Sequence, residues 1–304
     1  MYPTVLENIQ DLGMGQIQQL LSLSKKLKTS ETQPPSFSPN PFTAALIFNE
    51  NSTRTKYSFA KSIINLDYRY VDINPESSSM KKGEDLEETL LTLKAQGYGL
   101  LIMRTPNSGE FSKFKKHSPL PIINAGDGSN QHPTQALLDL FTMIELGEDP
   151  KGKTVTFIGD CAHSRVVNSL APLLISWGAK VNFCGPDEFM PDSSKHSEVK
   201  RLGQLESAVD GSDILYLLRI QSERHQSRSS DSFITDYATN FQVNQVSLKG
   251  KRIPIYHPGP ANIGVEIDHQ TLKGELYRGY HQVENSIFMR MALVKSYFEL
   301  GRGQ

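Results

Sequence analysis

Cysteine is nearly absent from this chain: Cys161 and Cys184 are the only two in 304 residues. Two thiols are too few for a disulfide framework or a thiolate metal site, so no metal ligand set is expected. They point to a reducing compartment, with both side chains packed as small apolar groups. Apolar runs are short as well, none nearing the roughly 20 residues that span a bilayer, and no charged-then-apolar leader opens the sequence. Neither a membrane partner nor secretion is therefore expected, and the cytoplasm is the expected location. Net charge is also missing, with 32 Lys and Arg against 33 Asp and Glu for a formal −1. That balance argues against nucleic acid or a membrane surface as the main partner.

What is present is alternation. An amphipathic segment near Ile17 to Leu27 and a polar loop from Ser30 to Pro41 with four prolines lead into the apolar run Ala44 to Phe48. Leu100 to Met103 and Pro121 to Asn124 read as further strands, with a helix through Leu86, Leu90 and Leu93 before them. From Lys151 the pattern restarts, with Val155 to Ile158, Val181 to Phe183, Ile214 to Leu217 and Ile253 to Tyr256 as short buried strands. The segment Ser286 to Leu300 spaces Ile287, Met289, Leu293, Tyr297 and Phe298 as an amphipathic helix. Strands separated by helical stretches predict an α/β protein of parallel sheets flanked by helices. A chain of this length should form two domains of roughly 150 residues each.

Two strings stand out. Ser52-Thr53-Arg54-Thr55 follows the first apolar strand and precedes Tyr57, Ala60, Ile63 and Ile64 at helical spacing. At a strand-to-helix turn, unpaired backbone N–H groups and the positive end of the helix dipole favour a phosphate, and hydroxyls and a guanidinium add charge-assisted donors. Taken alone, the string fits equally well a helix cap at Ser52 beside a solvated Arg54. His132-Pro133-Thr134-Gln135 follows the strand ending at Asn124 and a loop rich in Gly, Asp and Asn. Pro133 suits a first helical turn, and a His with Thr and Gln there is suited to hydrogen-bond a carbonyl and an amide at the carboxyl end of a strand. The turn after Val155 to Ile158, Gly159-Asp160, invites a dinucleotide reading. However, it lacks the three-glycine fingerprint, and His163 and Arg165 are bulky where a backbone should approach a pyrophosphate, so no cofactor is expected.

With Phe48 to Thr55, Lys82-Gly83-Glu84, Met103-Arg104, Asn124 to Gln135, Gly159 to Val166, Leu218 to His225 and His257-Pro258-Gly259-Pro260, the chain resembles the aspartate/ornithine carbamoyltransferase family over nearly its whole length. The Arg219-Ile220-Gln221 and Gly259-Pro260 segments resemble its aspartate branch, whereas the ornithine branch carries a His-Cys-Leu-Pro string. The resemblance implies a carbamoyl-phosphate-binding domain over 1–146, completed by a C-terminal helix over 286–304 that packs back on it, and an aspartate-binding domain over 147–285. It implies that Ser52, Thr53, Arg54 and Thr55 hold the phosphate, that Thr55, Arg104 and His132 bond the carbamoyl oxygen, and that Gln135 bonds its NH2 group. Arg54, Thr55, Arg104 and His132 would then be the catalytic set.

Arg165 and Arg219 are two guanidiniums suited to the two carboxylates of aspartate, with Gln221 assisting and the Gly259-Pro260 backbone near the amine or carbamoyl group. In the family, Ser78 and Lys82 reach the neighbouring subunit's site, Lys82 also toward aspartate, which implies a homotrimer with shared sites. Regulatory chains or dihydroorotase as further partners stay open, although the Gly-Pro type favours a trimer working without regulatory chains. No general base is evident, and in the family the departing phosphate is the proposed proton acceptor. The segment Ser222 to Ser232 is the candidate moving loop. Lys56 stands where arginine is common and Ala60 where glutamate is common. The activity implied is carbamoyl transfer from carbamoyl phosphate to L-aspartate; the alternatives are transfer to another amine and a non-catalytic trimeric homologue.

Overall fold

Runs of apolar residues become the central strands of two parallel sheets because strands covered by helices on both faces bury every side chain. The computed structural model describes residues 2–29, 43–77, 83–192, 198–220 and 231–301. The loop Ser30 to Pro41, Ser78, Lys82 and Gln221, and 222–230 of the candidate moving loop, lie outside the described residues; that segment's last residues open a helix instead. The chain divides into two units, one of Met1–Phe141, Asn168–Leu170 and Val283–Gln304, the other of Thr142–Val167 and Ala171–Gln282.

The first unit runs β1 (Val5–Leu6), α1 (Met14–Thr29), β2 (Thr43–Phe48), α2 (Thr53–Asn65), β3 (Arg69–Ile73), α3 (Leu86–Ala95), β4 (Leu100–Thr105) and β5 (Ile122–Asp127), and α4 (Pro133–Glu145) begins in it. Its sheet has the order β1-β5-β4-β2-β3 with every pairing parallel. β2, β4 and β5 therefore end side by side on one edge. Opposite β5, the register of β4 shifts between Met103 and Thr105, so Arg104 falls in an irregularity at the strand's carboxyl end.

The inward face of α2 differs from the apolar spacing. Ala60 and Ile63 are buried, but Tyr57 and Ile64 are exposed, and Thr55, Ser58 and Ser62 turn inward with Phe59. Two of the buried hydroxyls reach carbonyls of their own helix, Ser58 that of Arg54 at 2.6 Å and Ser62 that of Ser58 at 2.6 Å. Such back-bonding lets polar residues occupy a core face that hydropathy assigns elsewhere.

The second unit contains β6 (Thr154–Ile158), α5 (Arg165–Trp177), β7 (Lys180–Cys184), β8 (Lys200–Leu202), α6 (Leu205–Gly211), β9 (Ile214–Leu217), α7 (Asp231–Phe241), α8 (Gln245–Leu248), β10 (Ile255–Tyr256) and α9 (His269–Leu272). Its parallel sheet has the order β10-β9-β6-β7-β8. Residues 168–170, within α5, group with the first unit. Both cysteines are buried in this unit as free thiols, and burial pushes Cys184 up to about 12 and Cys161 well above its usual range.

The last helix, α10 (Gly279–Gly301), starts seven residues before the expected Ser286. From Val283 onward it belongs to the first unit, where the Ile287 carbonyl accepts from Ser62 of α2 at 2.8 Å and Met289, Leu293 and Tyr297 are buried. Among the described residues, no helix is long and apolar enough to cross a membrane, and no cluster of three or more His, Cys, Asp or Glu is arranged to hold a metal.

Candidate active site

In the first unit, the carboxyl ends of β2, β4 and β5 carry the polar groups. Ser52 sits at the N-cap of α2, yet its hydroxyl makes no capping bond; it accepts from Arg104 Nη1 at 3.0 Å. Glu50 takes the other side of that guanidinium, accepting from Arg104 Nε at 2.9 Å. A planar guanidinium held at two points is fixed in orientation as a single-point contact would not fix it. Thr53 and Arg54 are exposed in the first turn of α2, whose leading amides have no intrahelical acceptor. Thr55 is buried, and its Oγ1 lies 3.5 Å from His132 Nε2.

The loop before His132 is pinned by Asp127, which is fully buried. Its Oδ1 accepts from Asn124 Nδ2 at 2.7 Å and from the Gln131 amide at 3.0 Å; its Oδ2 accepts from the Gly109 amide and Asn130 Nδ2, both at 2.8 Å. The His132 amide donates to Ser169 Oγ at 2.8 Å. In the first turn of α4, Gln135 Nε2 donates to Asp139 Oδ1 at 2.9 Å. Because a carboxylate only accepts, the amide nitrogen must face Asp139, which leaves the Gln135 carbonyl oxygen as that side chain's acceptor. This suits an NH2 ligand. Ser52, Thr55, Arg104, His132 and Gln135 thus stand on three adjacent strand ends, with Arg54 one helical turn from Ser58.

In the second unit, Arg165, Arg219 and Gly259-Pro260 follow the carboxyl ends of β6, β9 and β10, again three adjacent strands. Gly159 ends β6 at φ +122°, and a Cβ there would stand 2.9 Å from the Leu218 carbonyl, so the approach of these two strand ends requires glycine. Buried Asp160 accepts from the His163 amide at 3.2 Å and pairs with His163 Nδ1 at 2.7 Å, bracing the turn that leads to Arg165. Ser164 caps α5, accepting from the Val167 amide. Buried His257 accepts from the Gly259 amide at Nδ1, 2.8 Å, which puts its proton on Nε2, 3.5 Å from Glu266 Oε1. Glu266 Oε1 in turn accepts from the Asn262 amide at 2.9 Å. The turn after β10 is thereby held at both ends.

Residues 6–145 match the family description "Aspartate/ornithine carbamoyltransferase, carbamoyl-P binding domain", and residues 151–297 match "Aspartate/ornithine carbamoyltransferase, Asp/Orn binding domain". The chain belongs to the aspartate/ornithine carbamoyltransferase family. Among its relatives, the aspartate carbamoyltransferase catalytic subunit of Desulforamulus reducens is 42% identical over 82% of this chain and 80% of its own length. That of Chlorobium phaeovibrioides is 36% identical over 96% of this chain and 97% of its own. Among solved structures, the catalytic subunit of M. jannaschii aspartate transcarbamoylase superposes with a TM-score of 0.87 at 28% identity, over 99% of this chain and all of that one. The Trypanosoma cruzi aspartate transcarbamoylase, solved with carbamoyl phosphate and aspartate, gives 0.83 at 26% identity over 96% of each chain.

Three neighbours of the candidate site residues escape a reading of the sequence. Glu50 lies inside the matching string, and its bond to Arg104, 54 residues away, is what places it at the site. Asp139 reads as one polar residue on α4. His163 gains its partner only once Asp160 is seen to be buried.

Proposed function

We propose that this chain is an aspartate carbamoyltransferase, transferring the carbamoyl group of carbamoyl phosphate to the amine of L-aspartate in pyrimidine biosynthesis. The observation that carries the reading is the convergence of Ser52, Thr55, Arg104, His132 and Gln135 on the carboxyl ends of β2, β4 and β5, in a chain 42% identical to a catalytic subunit of that name. The region 1–146 with 286–304 serves carbamoyl phosphate, and 147–285 serves aspartate.

Carbamoyl phosphate brings a phosphate dianion and a carbonyl. Ser52, Thr53, Arg54 and Thr55 take the phosphate together with the amides that open α2, where the helix dipole favours an anion. Thr55, Arg104 and His132 donate to the carbamoyl oxygen, and Gln135 accepts from the NH2 group. The amine nitrogen of aspartate attacks the carbonyl carbon, and negative charge gathers on the carbonyl oxygen before the carbon–oxygen bond to phosphate breaks. Donors already fixed in place stabilise that charge without reorganising, which is where most of the rate gain arises. The departing phosphate takes the proton that the amine loses.

Arg165 and Arg219 pair the two carboxylates of aspartate, Gln221 assists, and the Gly259-Pro260 backbone lies near the reacting amine. Two guanidiniums suit a dicarboxylate and oppose the cationic side chain of ornithine. The working form is a homotrimer in the cytoplasm, with Ser78 and Lys82 of one subunit completing the site of the next. Free buried thiols support a reducing compartment.

The test is steady-state phosphate release with L-aspartate or L-ornithine as acceptor. Turnover with aspartate alone, reduced on the order of a hundredfold or more in Arg54→Ala, is expected. Turnover with ornithine, or with neither amine, would reject the reading.

A further inference from the structure

Helix α10 carries a charge where its spacing calls for an apolar side chain. Arg290, between Met289 and Met291, is 1% exposed. Its guanidinium lies over the Phe59 ring, 5.0 Å from the centroid, and Nη1 donates to Ser58 Oγ. The Ser58 hydroxyl passes the contact on, donating to the Arg54 carbonyl at 2.6 Å with the Thr55 carbonyl at 3.0 Å. Burial pulls the guanidinium's pKa down to about 9, partly opposed by the charge of Asp139, so Arg290 stays cationic at neutral pH.

A buried guanidinium is an expensive way to fill space. Taking the charge out of water costs more than burying an apolar side chain of the same volume, and Arg290 Nε makes no hydrogen bond among the described residues. What the charge supplies and a methionine would not is direction. Arg290 only donates, so its guanidinium fixes which way the Ser58 hydroxyl points, and one residue of α10 bears on the first turn of α2.

We propose that Arg290 is a positioning residue: through Ser58 it holds the Arg54-Thr55 turn at the start of α2, fixing where the phosphate ligands stand. The inference rests on the proposed carbamoyl transfer for its kinetic readout and on phosphate binding alone for its second.

The experiment compares the full-length wild type with Ser58→Ala, Arg290→Lys and the double variant. It measures the Kd of inorganic phosphate by calorimetry, KM for each substrate, and Tm. Arg290→Met would strip the buried Ser58 oxygen of its donor and refill the core at once, so the two milder variants carry the test. Loosening the turn is expected to raise the phosphate Kd and the KM for carbamoyl phosphate about tenfold, within what a misplaced ligand costs. KM for aspartate should stay within about twofold, and the double variant should lose no more than the worse single, because both act through one chain of bonds. An unchanged phosphate Kd with only a lowered Tm would make Arg290 a packing residue and overturn the inference, as would fully additive losses. Phosphate binding without turnover on aspartate would reject the proposed function, while the Kd comparison would still decide the role of Arg290.

Discussion

Glu50 accepts from Arg104 Nε at 2.9 Å, while Ser52 takes Nη1 of the same guanidinium at 3.0 Å. The carboxylate and the hydroxyl hold the donor's plane from two sides. Glu50→Gln keeps the shape and removes the charge-assisted half of the bond, so kcat/KM for carbamoyl phosphate should fall about tenfold, with a larger fall in Glu50→Ala. Steady-state kinetics at fixed saturating aspartate check this; equal rates in all three proteins would show that the sheet alone orients Arg104.

Gly159→Ala should act on the other substrate. The added Cβ meets the Leu218 carbonyl at 2.9 Å at a φ of +122°, and relief moves the residue preceding Arg219. The expected result is a loss of about 1–3 kcal/mol in stability, with KM for aspartate raised and phosphate affinity unchanged. Denaturant titration and calorimetry on one preparation separate the two effects.

His257→Phe removes the acceptor of the Gly259 amide and leaves buried Glu266 without its histidine. KM for aspartate should rise along with a fall in Tm, because unpaired buried polar groups are costly. His257→Asn, whose Oδ1 reproduces the acceptor, should recover part of the KM. No difference between the two variants would mean that the Gly259 turn holds itself.

Alkaline pH should destabilise the protein through its thiols. Cys184 is raised to about 12 and Cys161 well above the ordinary 9.0. Above pH 9 the unfolded chain releases these protons while the native chain keeps them, so the unfolded state binds fewer protons and stability falls as pH rises toward the native values. Each thiol ionised only in the unfolded chain removes about 1.4 kcal/mol per pH unit. Denaturant midpoints at pH 8 and 10.5 should therefore drop less in Cys161→Ala/Cys184→Ala than in the wild type; identical drops would assign the alkaline loss to other groups.

The central strands were legible because a parallel strand covered on both faces is an unbroken apolar run, as in Ala44 to Phe48 and Val155 to Ile158. Three edge strands were not. β1 has only two residues, while Arg69–Ile73 and Lys200–Leu202 carry charge and exposure that no hydropathy rule assigns to a strand. Apolar spacing alone does not mark the inward face of α2: Tyr57 and Ile64 are exposed, and Ser58 and Ser62, whose hydroxyls reach carbonyls of the helix, fill core positions instead. In the site, family strings carry Ser52 to Thr55 and His132 to Gln135, whereas Glu50 and Arg290 depend on partners 54 and 232 residues away. The one local signal for Arg290 is an arginine inside the apolar stretch Ile287 to Val294.

The contact between Gln135 and Asp139 has one further consequence. An amide can usually be turned end for end at little cost, giving two arrangements of donor and acceptor that interconvert. Against a carboxylate only one end can point inward, so the side chain has a single hydrogen-bonding state before any ligand arrives. This side chain therefore gives up no orientational disorder on binding, and a ligand that offers it an acceptor meets a lone pair that cannot be exchanged for a proton.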